Sequence, residues 1–150
     1  MSRPSALLKP TVTAVLAVLA MSATAHAAQV AVLVTGVSSA KGHVRVELCT
    51  KRTFLTQDCP YGGEAPATVG DTVVEIASVT PGTYAAQAFL DDTDAGRVHQ
   101  NVLGIPRERI GFSNDAPLRV RGPRFEDAAF VVGAEARRIT LRLRHLFGGL

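Results

Sequence analysis

The sequence predicts an all-β domain, an antiparallel sandwich of two sheets with about seven strands, formed by residues 28–150. Short runs of alternating apolar and polar residues follow one another, and segments rich in glycine, proline and serine separate them. No run has the spacing of an amphipathic helix. The length suits a single domain with its own core, and no repeat or low-complexity linker divides it.

The segment before this domain, Met1–Ala27, has the features of an export signal. A positive start with Arg3 and Lys9 precedes an apolar run, and Ala25-His26-Ala27 forms a cleavage site of small residues. The apolar run is shorter than the roughly 20 residues that span a bilayer. We therefore expect cleavage near Ala27 and a periplasmic or secreted mature chain without a transmembrane segment. An uncleaved anchor is the alternative.

The charge of the mature chain argues against nucleic acid as a partner. Removing Arg3 and Lys9 with the signal lowers the number of basic residues from 16 to 14, against 13 acidic residues, so the formal net charge is +1. Nucleic-acid binding normally needs a clear surplus of basic residues on one face. We expect no nucleic-acid partner.

Two strands come first in the domain. In Val30–Val34 and Val44–Leu48, every second residue is valine or leucine, which is typical of a strand with one buried face. The segment Gly36–Gly42 between them is rich in turn residues. The sequence therefore predicts that these two strands form a hairpin.

Five further strands follow. The stretch Tyr84–Leu90 is apolar almost throughout, which favours a central strand, and shorter strands are predicted at Thr72–Ile76, Leu118–Val120 and Ala128–Val132. The last strand, Arg138–Leu146, has one apolar face and one face that carries arginines. An edge strand whose charges oppose aggregation explains these arginines best. A basic face that binds a ligand is the alternative.

Cys49 and Cys59 are the two cysteines of the chain, and they flank a short segment rich in turn residues. Disulfides persist in oxidising compartments, so we expect the two to be paired after export. Closing so short a loop stabilises a domain by about 3 kcal/mol or less. A free thiol and half of a metal site are the alternatives, but no partner lies at ligand spacing nearby.

The long connection at residues 90–114 is where we place the function. Connections in compact domains usually have about 4 to 6 residues, and loops on a rigid scaffold often carry binding residues. This one begins with three aspartates that could ligate calcium: Asp91, Asp92 and Asp94. Ala95 and His99 lack the side-chain oxygens that a complete calcium loop would need. We expect no cofactor other than weakly bound calcium. The alternative explanation of the three aspartates is a solvated polar turn that binds no metal.

Polar side chains along the same connection could contact a ligand through hydrogen bonds. The candidate ligand-binding residues include two of the aspartates. The full set is Asp91, Asp92, Asn101, Glu108, Ser113 and Asn114. The same side chains could instead satisfy backbone groups of their own loop, which is the commoner use of serine, asparagine and aspartate in turns.

No catalytic constellation is visible in the sequence. No serine lies in a Gly-x-Ser-x-Gly elbow, and the histidines of the mature chain are scattered without the spacing of a zinc site: His43, His99 and His145. We therefore name no catalytic residue. A hydrolase with Asp91 and Glu108 as paired carboxylates stays open, because the two residues could meet in space.

Several motifs together resemble the bacterial exported family known as domain of unknown function 2141. They occur in order along about Val32–Leu146: Pro81-Gly82-Thr83-Tyr84, the Asp91-Asp92 turn with Gly96, Gly104-Ile105-Pro106-Arg107-Glu108, Gly111-Phe112-Ser113-Asn114 and Phe125-Glu126-Asp127-Ala128-Ala129-Phe130. The resemblance implies an exported β-sandwich of the immunoglobulin-like or transthyretin-like kind, with no established activity.

The acidic turn departs from the pattern of that family. Relatives usually carry His-Asp-Glu-Asn-Gly-Asn-Gly, followed by a further aspartate. Here Leu90 stands at the histidine position, Thr93 and Ala95 stand at the asparagine positions, and His99 stands at the late aspartate. Four side chains that could ligate a metal are therefore altered or lost, which weakens any metal role carried over from the family.

The sequence favours an exported, non-enzymatic binding or accessory module that uses the loop at residues 90–114. Its expected partner is an envelope protein, a glycan or a small molecule. Binding is preferred because sandwiches commonly present loops for recognition and because no acid, base and nucleophile set is visible. The alternatives are a hydrolase-type enzyme with Asp91 and Glu108, and a purely structural envelope protein.

Export predicts a mature chain that begins at Ala28. The intact mass of the protein recovered from the periplasm should match residues 28–150, because the peptidase cleaves after the small residues that end the signal. A full-length mass in that fraction would show that the leader stays attached.

Overall fold

The computed structural model describes Ser2 and residues 26–99, 106–119 and 121–146. Eight strands within this part form two sheets. The predicted β-sandwich is confirmed, with one strand more than expected. Most of the predicted leader, and the candidate ligand-binding residue Asn101, lie outside the described residues.

The strands are β1 (Ala28–Val37), β2 (His43–Cys49), β3 (Tyr61–Pro66), β4 (Gly70–Val79), β5 (Gly82–Asp91), β6 (Ile110–Phe112), β7 (Ala129–Val132) and β8 (Arg137–Arg142). Helical structure in the described part is limited to a 3₁₀ turn at Ser113–Asp115 and one α-helical turn, α1, at Phe125–Ala128. Among the described residues there is no helix with the length and hydropathy to cross a membrane.

The smaller sheet has the order β4–β1–β8, and the larger sheet has the order β3–β2–β5–β6. Strand β7 pairs with the beginning of β5, beside the stretch of β5 that pairs with β6. The pairs are antiparallel with one exception: β1 and β8 run parallel, with Val32 opposite Ile139. Strand β8 lies at the edge of its sheet, as its arginine-bearing face predicted.

The predicted hairpin between the first two strands is wrong. Strand β1 pairs with β4 and β8, whereas β2 pairs with β3 and β5 in the other sheet. The segment Gly36–Gly42 therefore carries the chain from one sheet to the other. Gly42 has a φ of 73°, and a Cβ there would collide with the backbone of Asp91, so this crossing requires glycine.

Other strand predictions also need correction. Leu118 and Arg119 are not in a strand, and Val120 lies outside the described residues. The last strand ends at Arg142. Beyond it, the backbone of Arg144 exchanges hydrogen bonds of 2.8 and 2.9 Å with Ile110 of β6. Strands β3 and β6 were not predicted, because β3 lacks alternating large apolar residues and β6 has three residues.

The main core lies between the two sheets. Its fully buried side chains are mostly valine and leucine from alternate positions of the strands: Val30, Val32, Val34, Val44, Val46, Leu48, Val74, Leu141 and Leu143. Tyr84 supports the crossing from β4 to β5, because its hydroxyl donates a 2.9 Å hydrogen bond to the carbonyl oxygen of Thr80. This is the tyrosine corner known from β-sandwiches.

A second apolar cluster covers the outer face of the larger sheet. This outer cluster consists of Cys49, Phe54, Ala85, Phe89, Ile110, Phe112, Ala116 and Ala128. The rings of Phe112 and Phe125 each meet Phe54 edge to face, at centroid distances of 5.7 and 5.8 Å. Because β5 contributes alternate residues to the main core and to the outer cluster, both of its faces are buried. This explains its almost continuous apolar sequence.

The predicted disulfide between Cys49 and Cys59 is present. It closes residues 50–58, the disulfide loop, over the outer cluster. Gln87 of β5 holds the same loop from below. Its Oε1 accepts a 3.1 Å hydrogen bond from the N–H of Leu55, and its Nε2 donates a 2.7 Å hydrogen bond to the carbonyl oxygen of Thr56. The loop is therefore fastened to the sheet at two separate points.

Candidate functional site

Asp91, the last residue of β5, holds the acidic turn together. Its residue exposure is 1%. Oδ2 accepts hydrogen bonds of 2.7 Å from the Nε of Arg45 and from the N–H of Gly96, and Oδ1 accepts one of 3.0 Å from the N–H of Ala95. Both carboxylate oxygens are thus engaged inside the protein. This favours a role for Asp91 in fixing the turn.

The hydrogen bonds around Asp91 keep it ionised. Burial on its own would raise the pKa of the carboxyl, but the hydrogen bond from Arg45 and those from the two backbone N–H groups outweigh it, so the pKa is lowered. The bond to Asp91 raises the pKa of Arg45 in turn. Arg45 also pairs with Glu64 on β3. The result is a charged cluster that ties the ends of three strands together.

The other two aspartates of the turn, Asp92 and Asp94, have different surroundings. Oδ1 of Asp94 lies 2.5 Å from Nδ1 of His43, and Asp92 is exposed. Among the described residues, the group of acidic, histidine and cysteine side chains close enough to share a metal ion is Glu47 with Cys49 and Cys59. Those two sulfurs are bonded to each other. The three aspartates do not form such a group.

Glu108 also contacts its own loop. Both of its carboxylate oxygens lie 3.0 Å from the backbone N–H of His99, and Oε1 lies 2.7 Å from the Nδ1 of the same histidine. The backbone N–H of Arg107 donates a further 2.9 Å hydrogen bond to the carbonyl oxygen of His99. These contacts join the two ends of the part of the loop that lies outside the described residues.

Ser113 and Asn114 connect the 3₁₀ turn to its neighbours. The buried Oγ of Ser113 accepts a 2.9 Å hydrogen bond from the N–H of Ala86 and donates one of 2.5 Å to the carbonyl oxygen of Ala128. The Nδ2 of Asn114 donates a 2.9 Å hydrogen bond to the carbonyl oxygen of Ala129. For both side chains, these bonds favour the explanation that they satisfy backbone groups.

A polar hollow of about 430 Å³ lies beside the acidic turn. Of the predicted ligand-binding residues, it brings together Asp92 and Glu108. Arg107, Arg109 and His145 also line it, so its charges are mixed. Asp91, Ser113 and Asn114 are not among the residues that line it.

A different cavity, of about 290 Å³, opens on the outer face of the larger sheet. We call it the outer pocket. Its floor is formed by strand side chains, which include Gln87, Phe89, Ile110 and Phe112. The surrounding wall is formed by the disulfide loop and two further loops, and it includes Leu55, Thr56, Gln57, Val98, Pro106 and Leu118. The pocket is therefore mainly apolar and rests on strands that are packed on both sides.

Three arginines line the outer pocket together with one carboxylate. The arginines are Arg97, Arg119 and Arg121, and the carboxylate is Glu47. Glu47 accepts a 2.6 Å hydrogen bond from the Nε2 of Gln87. Arg119 lies 4.0 Å from Asp127, the limit of an ion pair. Within the described part of the chain, Arg97 and Arg121 have no ion pair. The pocket thus combines an apolar floor with an excess of positive charge.

The loop at residues 90–114 does line the outer pocket, but through residues other than the predicted ligand-binding residues. Gly96, Arg97 and Val98 come from its first part, and Pro106, Ile110 and Phe112 come from its second part. The sequence feature that indicates this pocket is the apolar strand β5. In it, Gln87 and Phe89 alternate with residues of the main core and face outward. Alternation along that strand implies a second covered face, but it does not reveal which loops cover it.

Replacing Asp91 by asparagine should destabilise the domain by about 3 kcal/mol at neutral pH, measured by urea unfolding. Removing one partner of a buried ion pair costs about 3 to 5 kcal/mol, and we expect the lower end because Arg45 is partly exposed and keeps Glu64. Asp92→Asn removes the same charge from an exposed position and should change little. Equal stability of the two variants would contradict this role for Asp91.

The same pair predicts how stability changes with pH. Because the pKa of Asp91 is lower in the folded protein than its ordinary value of about 3.9, its contribution is complete above that value. It is lost as the pH falls through the lower, folded value. Unfolding free energies measured from neutral to acid pH should therefore fall less steeply in Asp91→Asn than in the wild type. Parallel curves would contradict the prediction.

Calcium should have little effect on stability. Calcium takes six to eight oxygen ligands, and the oxygens of Asp91 already accept hydrogen bonds from the protein. Binding in the millimolar range would add under about 1 kcal/mol at one millimolar calcium. Melting temperatures in calcium and in chelator should thus differ by a few degrees at most. A much larger rise that Asp92→Ala abolishes would establish a calcium site in the turn.

Comparison with known proteins agrees with the motifs in the sequence. The family model described as "Uncharacterized protein conserved in bacteria (DUF2141)" matches residues 32–140. No curated protein and no solved structure matches the chain. The matched segment begins in β1 and ends in β8, so it spans both sheets and every loop around the outer pocket. The chain belongs to the bacterial family DUF2141.

Proposed function

We propose that this chain is an exported, non-enzymatic binding module whose ligand site is the outer pocket. The pocket itself carries the proposal. Binding sites for small molecules are concave and mostly apolar, with a few polar groups that orient the ligand, and their volumes run from about 300 to 1,000 Å³. At about 290 Å³, the outer pocket suits a small molecule better than a glycan chain or a protein surface.

The construction of the pocket supports this role. Its floor belongs to β5 and β6, and one of its walls is the disulfide loop, which the disulfide and Gln87 hold in place. A site that is ordered before binding loses less conformational entropy when the ligand arrives. The disulfide also fits an oxidising compartment, in agreement with the export signal expected at residues 1–27.

The contacts of the two proposed catalytic carboxylates argue against the hydrolase alternative. A general acid or base must reach the proton that it transfers. Asp91 is buried and paired with Arg45, and Glu108 is bonded to His99. Neither residue lines the outer pocket. A purely structural role, the second alternative, gives no account of an open apolar cavity beside unpaired arginines.

A pair of matched variants can test the site. Val98 lines the outer pocket, so Val98→Trp should fill part of it and abolish binding. Val73 lies on the smaller sheet and is 45% exposed, so Val73→Trp makes the same change away from the pocket and should leave binding intact. We would titrate neutral, anionic and cationic fragments into isotope-labelled protein and record the backbone amide signals by NMR.

Fragments should shift the amide signals of pocket residues such as Gln87, Phe112 and Leu118 in the wild type and in Val73→Trp. Both variants should keep the signals of the main core, which confirms that they are folded. Shifts that cluster elsewhere, or binding by Val98→Trp as tight as by the wild type, would overturn the assignment of the site.

A further inference from the structure

The charges around the outer pocket are not balanced by the protein. Several arginines elsewhere pair with carboxylates or with backbone carbonyl groups: Arg45 with Asp91, Arg124 with Asp127, and Arg109 with the carbonyl oxygen of Gly36. Others in the described part, such as Arg137 and Arg138, are exposed without an ion pair, but they line neither the outer pocket nor the polar hollow. At the pocket, three arginines meet one carboxylate, which is already bonded to Gln87. Two separate loops supply these cations to one cavity, Arg97 from one and Arg119 and Arg121 from the other, and this excess favours a negatively charged occupant.

We propose that the outer pocket binds an amphipathic anion, a small molecule with an apolar body and one acidic head group such as a carboxylate. This proposal rests on the proposed function, because it names the class of ligand for the same site. The guanidinium group suits a carboxylate in particular, since its planar fork of N–H donors can bind both oxygens at once.

The floor of the pocket defines the other part of the ligand. Phe89, Ile110 and Phe112 present apolar surface there. A small inorganic anion would leave that surface in contact with water, whereas an apolar chain or ring would remove it from water. The volume of about 290 Å³ accommodates one short chain or ring system, which points to a free acid and not to a lipid with two chains.

The preference for an anionic head group can be tested with three probes that have the same alkyl chain: decanoate, decan-1-ol and decylammonium. Each would be titrated into the exported wild-type protein by calorimetry. Decanoate should bind with one-to-one stoichiometry and at least about tenfold more tightly than decan-1-ol, since charge-assisted hydrogen bonds are roughly twice as strong as neutral ones. Decylammonium should bind most weakly. Added salt should weaken the binding of decanoate and leave that of decan-1-ol nearly unchanged.

The arginines can be tested with a double variant and its matched control. Arg97→Gln with Arg121→Gln removes two charges at the pocket. Each lost charge should lower the affinity for decanoate about threefold, as expected for exposed charge pairs. Binding of decan-1-ol should not change. Arg137→Gln with Arg138→Gln removes two charges from exposed positions on β8, in the other sheet, and should change neither probe.

The outcomes separate the two proposals. The proposal of an anionic head group is wrong if decan-1-ol binds as tightly as decanoate, or if both double variants lower the affinity for decanoate equally. In either case the pocket remains a binding site. If none of the three probes binds to the wild type, the proposal is overturned, and the fragment titration then decides whether the pocket binds other small molecules. The comparison of the three probes in the wild type does not depend on any variant being folded.

Discussion

The structure depends on one constraint: strand β5 is apolar on both faces, so both faces have to be covered. The facing sheet covers one of them. The other face, with Ala85 and Phe89, is not covered by a long helix, because helical structure in the described chain is limited to a 3₁₀ turn and one α-helical turn. Loops cover it instead, and a disulfide and Gln87 hold one of those loops down. Loops pack less completely than a helix, and the outer pocket is the space between them.

The polar residues that stand out in the sequence serve this arrangement. Asp91 ends β5 and fixes the turn that follows it, Glu108 joins two parts of the long loop by binding His99, and Ser113 ties the 3₁₀ turn to β5. Asp91 and Glu108 satisfy backbone N–H groups of a loop that has no ladder of its own, and Ser113 satisfies the N–H of Ala86 in β5. A cluster of carboxylates in a long loop is therefore weak evidence for chemistry, since the loop needs such acceptors in order to keep its shape.

The alternation of apolar and polar residues predicted where individual strands lie. It predicted little about which distant segments pair with one another. The strands at β1, β2 and β5 were predicted correctly. The hairpin was not, because two strands with one buried face look alike whether they share a sheet or face each other. The partner of Asp91 is Arg45, 46 residues away, and no spacing rule connects the two. The outer pocket was missed for the same reason: Arg97 and Arg121 belong to separate loops that meet only in the folded protein.

The parallel pairing of β1 with β8 has a consequence for how the chain folds. The first strand after the expected cleavage site pairs with the last described strand, and Val30 lies opposite Arg137. Contacts between such distant residues form late, because a long loop must close before they yield any stabilisation. During synthesis, which proceeds from the N-terminus, β1 thus keeps one open edge until β8 has been made. During that interval the edge is a template for pairing with other chains.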